Sequence, residues 1–176
     1  MDFEQCCQWL FNRLPNYQTI GSAAYKPGLE NIQSLILYLQ PALQKISIVH
    51  VAGTNGKGSV CAMTAAACQV NGKKVGLFTS PHFLCFTERI QINGLRVDQQ
   101  TVVNFVNANR KKIEESKASF FEISFWMALH HFVEQQVDLM VLETGLGGRL
   151  DATNAIVRNH FRADLSRITA ELTRHD

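Results

Sequence analysis

A chain of 176 residues, 46% hydrophobic and 18% charged, suits one ordinary α/β domain, or one domain plus a short appendage, and is too rich in apolar side chains for wholesale disorder. Seventeen Lys and Arg against 15 Asp and Glu leave a formal charge of +2, and with no dense basic run nothing calls for a nucleic-acid partner. No apolar run approaches the roughly 20 residues that cross a bilayer. The acidic start Met1-Asp2-Phe3-Glu4-Gln5 lacks a signal-peptide pattern, so a cytoplasmic protein without membrane contact is expected. The five cysteines include the adjacent pair Cys6-Cys7 and no Cys-x-x-Cys, and read as reduced thiols.

In chain order, Phe3, Trp9, Leu10 and Leu14 predict a short amphipathic helix over 3–14, ended by Pro15. Tyr25-Lys26-Pro27-Gly28 is a turn signal. Ile32, Leu35, Ile36 and Leu39 recur at helical spacing, and Pro41 closes or bends that element. The period then changes: Ile46–Ala52 is short and β-branched and predicts a buried strand. After a glycine-rich turn, small apolar residues from Ser59 to about Val70 predict a helix packed closely on a sheet, ended by Asn71-Gly72. Lys74–Thr79 predicts a second strand, ending at Ser80-Pro81-His82. Glu88–Val97 predicts a hairpin turning at Asn93-Gly94. Asp98 is placed to cap a helix running to about Glu115, a second helix covers Phe120–Glu134, and Val137–Leu142 predicts a third strand.

Strands alternating with helices predict an α/β fold with a mostly parallel sheet flanked by helices, in which ligands bind at the carboxyl ends of the strands. Polar clusters follow three strand ends, after Ala52, Thr79 and Leu142. Residues 157–176 break the composition, with four arginines and no lysine against eight lysines and five arginines before them. This tail has a weak helical pattern (Leu165, Ile168, Leu172) and no strand is expected in it. The predicted organisation is therefore a partial domain over 1–156 and an atypical tail over 157–176.

The segment Gly53-Thr54-Asn55-Gly56-Lys57-Gly58-Ser59 joins a predicted strand to a predicted helix. Glycines let successive N–H groups face an anion, and the helix N-terminus adds partial positive charge. Lys57 supplies a full charge for β- and γ-phosphate, and Ser59 a hydroxyl. The standard phosphate loop has Gly where Val51 stands and Ser or Thr where Gly58 stands. Glu143, at the third strand's end, is a natural direct or water-mediated Mg²⁺ partner, and Ser80 a possible cation ligand across the same crevice. His82 either contacts phosphate or caps the following turn. The loop Gly145–Asn154 either wraps a ligand or connects elements. In Ser119-Phe120-Phe121-Glu122 the aromatic pair reads first as core. His130-His131 lacks the i, i+4 spacing of a metal pair and reads as structural.

Taken together, Gly28–Ile32, His50–Ser59, Thr79–His82, Glu88-Arg89-Ile90 and Glu143–Asn154 resemble the folylpolyglutamate synthase / dihydrofolate synthase branch of the Mur ligases, from about Phe3 to Asn154. Gly58-Ser59 after Lys57 favours the folate branch over the cell-wall branch. The resemblance implies an incomplete Mur-ligase central domain. It also implies ATP- and Mg²⁺-dependent ligation of L-glutamate to dihydropteroate or a folate, through an acyl phosphate. Lys57 would be catalytic, and Thr54, Asn55, Gly56, Lys57, Gly58 and Ser59 would hold ATP. Ser80 and Glu143 would bind the metal. The pterin-bearing substrate would meet Tyr25, Lys26, Pro27, Gly28, Ser119, Phe120, Phe121, Glu122, Leu150, Asp151 and Ala152, with Asp151 hydrogen-bonding the ring and Phe121 stacking on it.

Two departures qualify this. Lys26-Pro27-Gly28-Leu29-Glu30-Asn31 stands where the family often has Asp-Leu-Gly-Leu-Glu-Arg. After Asn154, no further strand, Leu-Asp-His-like metal segment or metal-site lysine is recognisable. A truncated, monomeric chain inactive by itself is expected. The alternative is a nucleotide-binding remnant or regulatory module. A small kinase would want a Gly-Lys-Ser/Thr loop and an arginine-rich lid, neither of which is visible.

Overall fold

A computed structural model describes residues 1–15, 28–145 and 150–156 with their side chains, and the backbone of a strand over 160–164. The expected turn at Tyr25-Lys26-Pro27 lies outside the described residues. Helix α1 (Phe3–Arg13) opens with Asp2 and Gln5 capping each other's backbone amides, and buries Cys6 and Leu10. Helix α2 (Glu30–Ile36) passes through a 3₁₀ turn at Leu37–Leu39 into the short α3 (Gln40–Leu43). Pro41 sits in the first turn of α3, where its missing N–H costs nothing, and so restarts the helix instead of closing it.

Strand β1 (Ser47–Ala52) leads into α4 (Lys57–Val70), then β2 (Val75–Phe78). The hairpin β3 (Ile90–Ile92) and β4 (Leu95–Arg96) turns at Asn93 and Gly94, both with positive φ, as a two-residue hairpin turn requires. Helix α5 (Gln99–Glu115) is capped by Asp98, and α6 (Phe120–Glu134) by a reciprocal Ser119–Glu122 box. Strand β5 (Leu139–Glu143) follows.

The last described strand, β6 (His160–Asp164), corrects the expectation for the tail. It pairs in parallel with β1, from Ile48 opposite His160 to Ala52 opposite Asp164. The side-chain pattern there gives no strand signal; the pairing instead satisfies the backbone groups along the free edge of β1.

The strand order is β4-β3-β2-β5-β1-β6. Strands β2, β5, β1 and β6 are parallel, and the hairpin extends them antiparallel. Alternate residues divide the core. Met140, Leu142, Phe78 and Ile48 face the larger cluster with α1, α2, α5 and α6. Val141, Val51, Val75 and Leu77 face Cys61 of α4. Because β5 inserts between β1 and β2, the loop after β1 and the segment after β2 flank Glu143 at one edge of the sheet.

Candidate functional site

The turn after β1 makes a helix N-terminus with a glycine at the cap position. Gly56 has φ +76° and open space where a Cβ would be, and α4 starts at Lys57 without a capping side chain. A left-handed residue there lets the chain turn sharply into the helix, leaving the first-turn amides to partners outside it. Thr54, Asn55, Gly56 and Ser59 are exposed. Lys57 Nζ donates to the loop's own carbonyls, Gly53 O at 3.0 Å and Thr54 O at 3.5 Å, which holds the ammonium against the turn.

Glu143 lies beside this helix start and is only 5% exposed. Its Oε2 accepts from the Ser80 amide at 2.8 Å, and the Gly58 amide also donates to it. A Cβ on Gly58 would sit 3.6 Å from Oε2, so the helix approaches the carboxylate at contact distance. Burial pushes the Glu143 carboxyl above its ordinary value, against the pull of the Ser80 amide, Lys57, Arg89 and the Gly58 amide. The expected gathering of Lys57, Ser80 and Glu143 at three strand ends is what the fold presents. Among the described residues no cluster of three or more His, Cys, Asp or Glu side chains forms a metal site; the grouping here is one carboxylate with a serine.

The segment from 82 to 90 has a logic that residue types alone did not reveal. Glu88 gathers three loop amides: Oε2 accepts from Phe83 at 2.8 Å, and Oε1 accepts from Leu84 at 3.2 Å and Cys85 at 3.0 Å. Those bonds, the one to Phe83 foremost, hold the Glu88 carboxyl below its ordinary value. Arg89 is 5% exposed, donates from Nε to His82 Nδ1 at 2.7 Å and lies over the Phe120 ring, 5.2 Å to its centroid. Burial brings the guanidinium down to about 10. His82 therefore accepts from Arg89, and neither caps the following turn nor reaches for phosphate by that nitrogen. Burial first, then Arg89, lowers its pKa.

A group whose folded pKa is depressed stabilises the fold above its unfolded value, and that contribution is lost as pH falls through the folded value. Glu88→Gln is therefore expected to speed hydrogen exchange at the Phe83–Cys85 amides at neutral pH. Lowering the pH of the unaltered chain through the carboxylate range is expected to do the same. Unchanged exchange in the variant would show that Glu88 does not hold the loop.

A second grouping lies on the α6 side of β1. Phe121, in the first turn of α6, meets Phe78 edge-on at 5.6 Å between ring centroids. Gly145 lies between Phe121 and Asp151: a Cβ there would stand 2.8 Å from Phe121 Cζ and 3.1 Å from Asp151 Oδ2. Asp151 caps the 3₁₀ turn Ala152–Ala155 and is 2% exposed. Leu150 is partly exposed and Ala152 buried.

The other residues expected at this site have local duties. Ser119 and Glu122 close on each other, with Glu122 Oε2 taking the Ser119 amide at 2.7 Å and hydroxyl at 2.9 Å. Phe120 is buried against Phe11, Phe86 and Arg89. Gly28, described at φ +133°, precedes α2. Sequence reasoning gave His50, Thr153 and Gly145 no individual role, although all three lie in segments that carry the family resemblance. His50 lay in an apolar strand run and Thr153 looked like loop polarity, so no local signal marked either.

His130 and His131 serve α6, as expected. His130 pairs with Glu134 at 3.4 Å, while His131, depressed by burial, has a buried Nδ1 without a hydrogen-bond partner. The five cysteines are free thiols.

Among the described residues, a mostly parallel sheet with one helix on one face, several on the other, and polar groups at three adjacent strand ends defines an α/β domain of the kind in which ligand sites form at the carboxyl ends of the strands. No family model matches the chain. A probable bifunctional folylpolyglutamate synthase/dihydropteroate synthase of Haloferax volcanii is 37% identical over 161 residues, covering 89% of this chain and 18% of its own length. The dihydrofolate synthase/folylpolyglutamate synthase of Bacillus subtilis is 35% identical over 88% of this chain and 36% of its own length.

Solved structures agree. Escherichia coli FolC in complex with DHPP and ADP superposes with a TM-score of 0.74 at 30% identity, over 89% of this chain and 36% of that one. The folylpolyglutamate synthase of Thermotoga maritima gives 0.73 at 33%, over 97% and 39%. A bifunctional synthase with Mn, AMPPNP and L-glutamate bound gives 0.70 at 32%, over 86% and 36%. The chain belongs to the folylpolyglutamate synthase/dihydrofolate synthase family and spans about a third or less of the length of these curated relatives.

Proposed function

We propose that this chain is the ATP- and pterin-binding portion of a ligase that joins L-glutamate to dihydropteroate or a folate through an acyl phosphate. The observation that carries the reading is the start of α4, with glycine at its cap position and Lys57 after it, beside the buried Glu143 and the Ser80 amide. The difficulty of such a ligation is the approach of two anions, a substrate carboxylate and the γ-phosphate. Amides and an ammonium fixed beforehand lower that repulsion at no reorganisation cost.

Thr54, Asn55, Gly56, Lys57, Gly58 and Ser59 would hold the phosphates, with Lys57 the catalytic cation. Glu143 and Ser80 would hold Mg²⁺. The residues fit such an ion, because Glu143 is a buried carboxylate whose charged form is penalised where it stands. Bound there, Mg²⁺ would supply charge neutralisation between the two anions. Asp151 and Phe121, converging on Gly145, would take the pterin ring by hydrogen bond and by stacking. Tyr25, Lys26, Pro27, Gly28, Leu150 and Ala152 would border that substrate. Ser119, Phe120 and Glu122 would shape its wall from within.

The relatives named above bind ADP or AMPPNP, Mn, DHPP and L-glutamate. For this shorter chain we propose binding of nucleotide and pterin as a cytoplasmic monomer, without completion of the ligation by itself. A nucleotide-binding module without ligation chemistry is the alternative. Glutamate-dependent phosphate release by the purified chain, given dihydropteroate, ATP and Mg²⁺, would overturn the reading of inactivity.

The pterin assignment is tested by fluorescence titration with pteroic acid. The unaltered chain is expected to bind. Asp151→Ala is expected to lose about tenfold in affinity, the cost of one hydrogen bond to a charged group, with unchanged affinity for AMPPNP. No binding by the unaltered chain would overturn the assignment.

A further inference from the structure

We infer that His50 and Thr153 are positioning residues that fix the Asp151 carboxylate for the substrate ring, an assignment that rests on the pterin reading above. A polar ring within a buried strand is costly unless it is hydrogen-bonded. His50 is 4% exposed in the middle of β1, and its Nε2 lies 2.6 Å from Thr153 Oγ1, across 103 residues of sequence. Thr153 is 1% exposed, and its hydroxyl donates to Asp151 Oδ1 at 2.5 Å. A hydroxyl has a single proton, so the bond from His50 must run the other way: Nε2–H donates to Oγ1. The chain of donors is then His50 to Thr153 to Asp151, entirely buried, from the middle of β1 to the 150–156 segment.

The Thr153 amide donates to the same Oδ1 at 3.0 Å. Two donors from one residue fix the carboxylate's plane and place Oδ2 toward Gly145 and Phe121. A pterin offers neighbouring N–H donors along one edge, and a carboxylate matches them only in a set orientation. A carboxylate already held gives up less rotational freedom when the ring arrives. Gly145 lets Phe121 and Asp151 both close on the backbone there, since any Cβ would meet both. The imidazole orders the carboxylate from beneath without reaching the ligand.

Pteroic acid affinity, with AMPPNP affinity as control, tests this in the full chain. Thr153→Val is expected to weaken pteroic acid binding about tenfold, since it removes a hydrogen bond to a charged group. AMPPNP binding should be unchanged, and Thr153→Ser should recover affinity to within about twofold. In an Asp151→Asn background, Thr153→Val should add nothing, because residues acting through one another are not additive.

Equal affinity of Thr153→Val and the unaltered chain would overturn the inference. So would a full Thr153→Val penalty in the Asp151→Asn background. Thr153→Val removes the acceptor of the His50 Nε2–H; if it does not fold, His50→Leu decides, since it leaves Thr153 and its bond to Asp151 in place. There a loss of about threefold is expected, and none would overturn the positioning role. Failure of the unaltered chain to bind pteroic acid at all would overturn the pterin reading and this inference together, a result distinct from any ranking of variants.

Discussion

Lys57→Ala is expected to lower affinity for AMPPNP about a hundredfold, which corresponds to about 2.7 kcal/mol. That is what one or two charge-assisted hydrogen bonds to phosphate would contribute. In the structure Nζ donates to two carbonyls of its own turn. The ammonium is thus held at the start of α4 before any ligand is present. Removing it leaves the amides and the helix end, so residual binding is expected. Thermal unfolding of the variant should match the parent closely, since the bonds lost are local to an exposed turn. Isothermal titration with Mg²⁺ and AMPPNP, run on both proteins, measures the effect. Equal affinities would remove the phosphate-loop assignment and leave the turn a connector.

Features whose partners lie within three or four residues were legible from sequence. Asp98 accepts from the Thr101 amide, and Ser119 and Glu122 bond each other, so both α5 and α6 start where the cap residues say they should. Asn93-Gly94 marks its hairpin for the same reason: a turn needing two positive φ values admits few residues. Strand β1 was readable from its β-branched run, and the polar groups at strand ends were readable because parallel sheets place ligands there.

Contacts set by topology were not legible. His50 and Thr153 are 103 residues apart and meet only because the 150–156 segment folds back over β1. Arg89 and His82 are close in sequence, yet Arg89 also lies over Phe120 of another element, a contact that topology alone sets. Ser119 and Glu122 drew attention as substrate neighbours because the motif clusters them, whereas their shortest bonds are helix-capping ones. Strand β6 illustrates the same limit. Its residues carry little β preference, and its pairing answers the unmet backbone groups of β1.

The largest expected effect on stability is at Trp126. Its ring is fully buried on α6 and bridges three elements. It meets Phe105 of α5 edge-on at 4.8 Å between centroids, and Lys112 Nζ lies 4.8 Å above it. Its Nε1 donates to Tyr38 Oη, 3.1 Å away in the turn after α2. Trp126→Ala removes this keystone between α5 and α2, and the flanking helices, each fastened elsewhere to the core, cannot collapse fully into the space. Loss of transfer energy plus a residual cavity is expected to cost about 3–5 kcal/mol. For a domain whose whole stability is about 5–15 kcal/mol, that is a large share. Trp126→Phe keeps most of the ring area and loses the N–H, so about 1–2 kcal/mol is expected there. Urea unfolding measures both: the midpoint should fall in the order parent, Phe, Ala, with the slope unchanged. AMPPNP affinity of the folded protein should hold, because the α5–α6 seam lies across the sheet from α4. A shift below about 1 kcal/mol for Trp126→Ala would show that this seam is not part of the cooperative core that positions β5 and its Glu143.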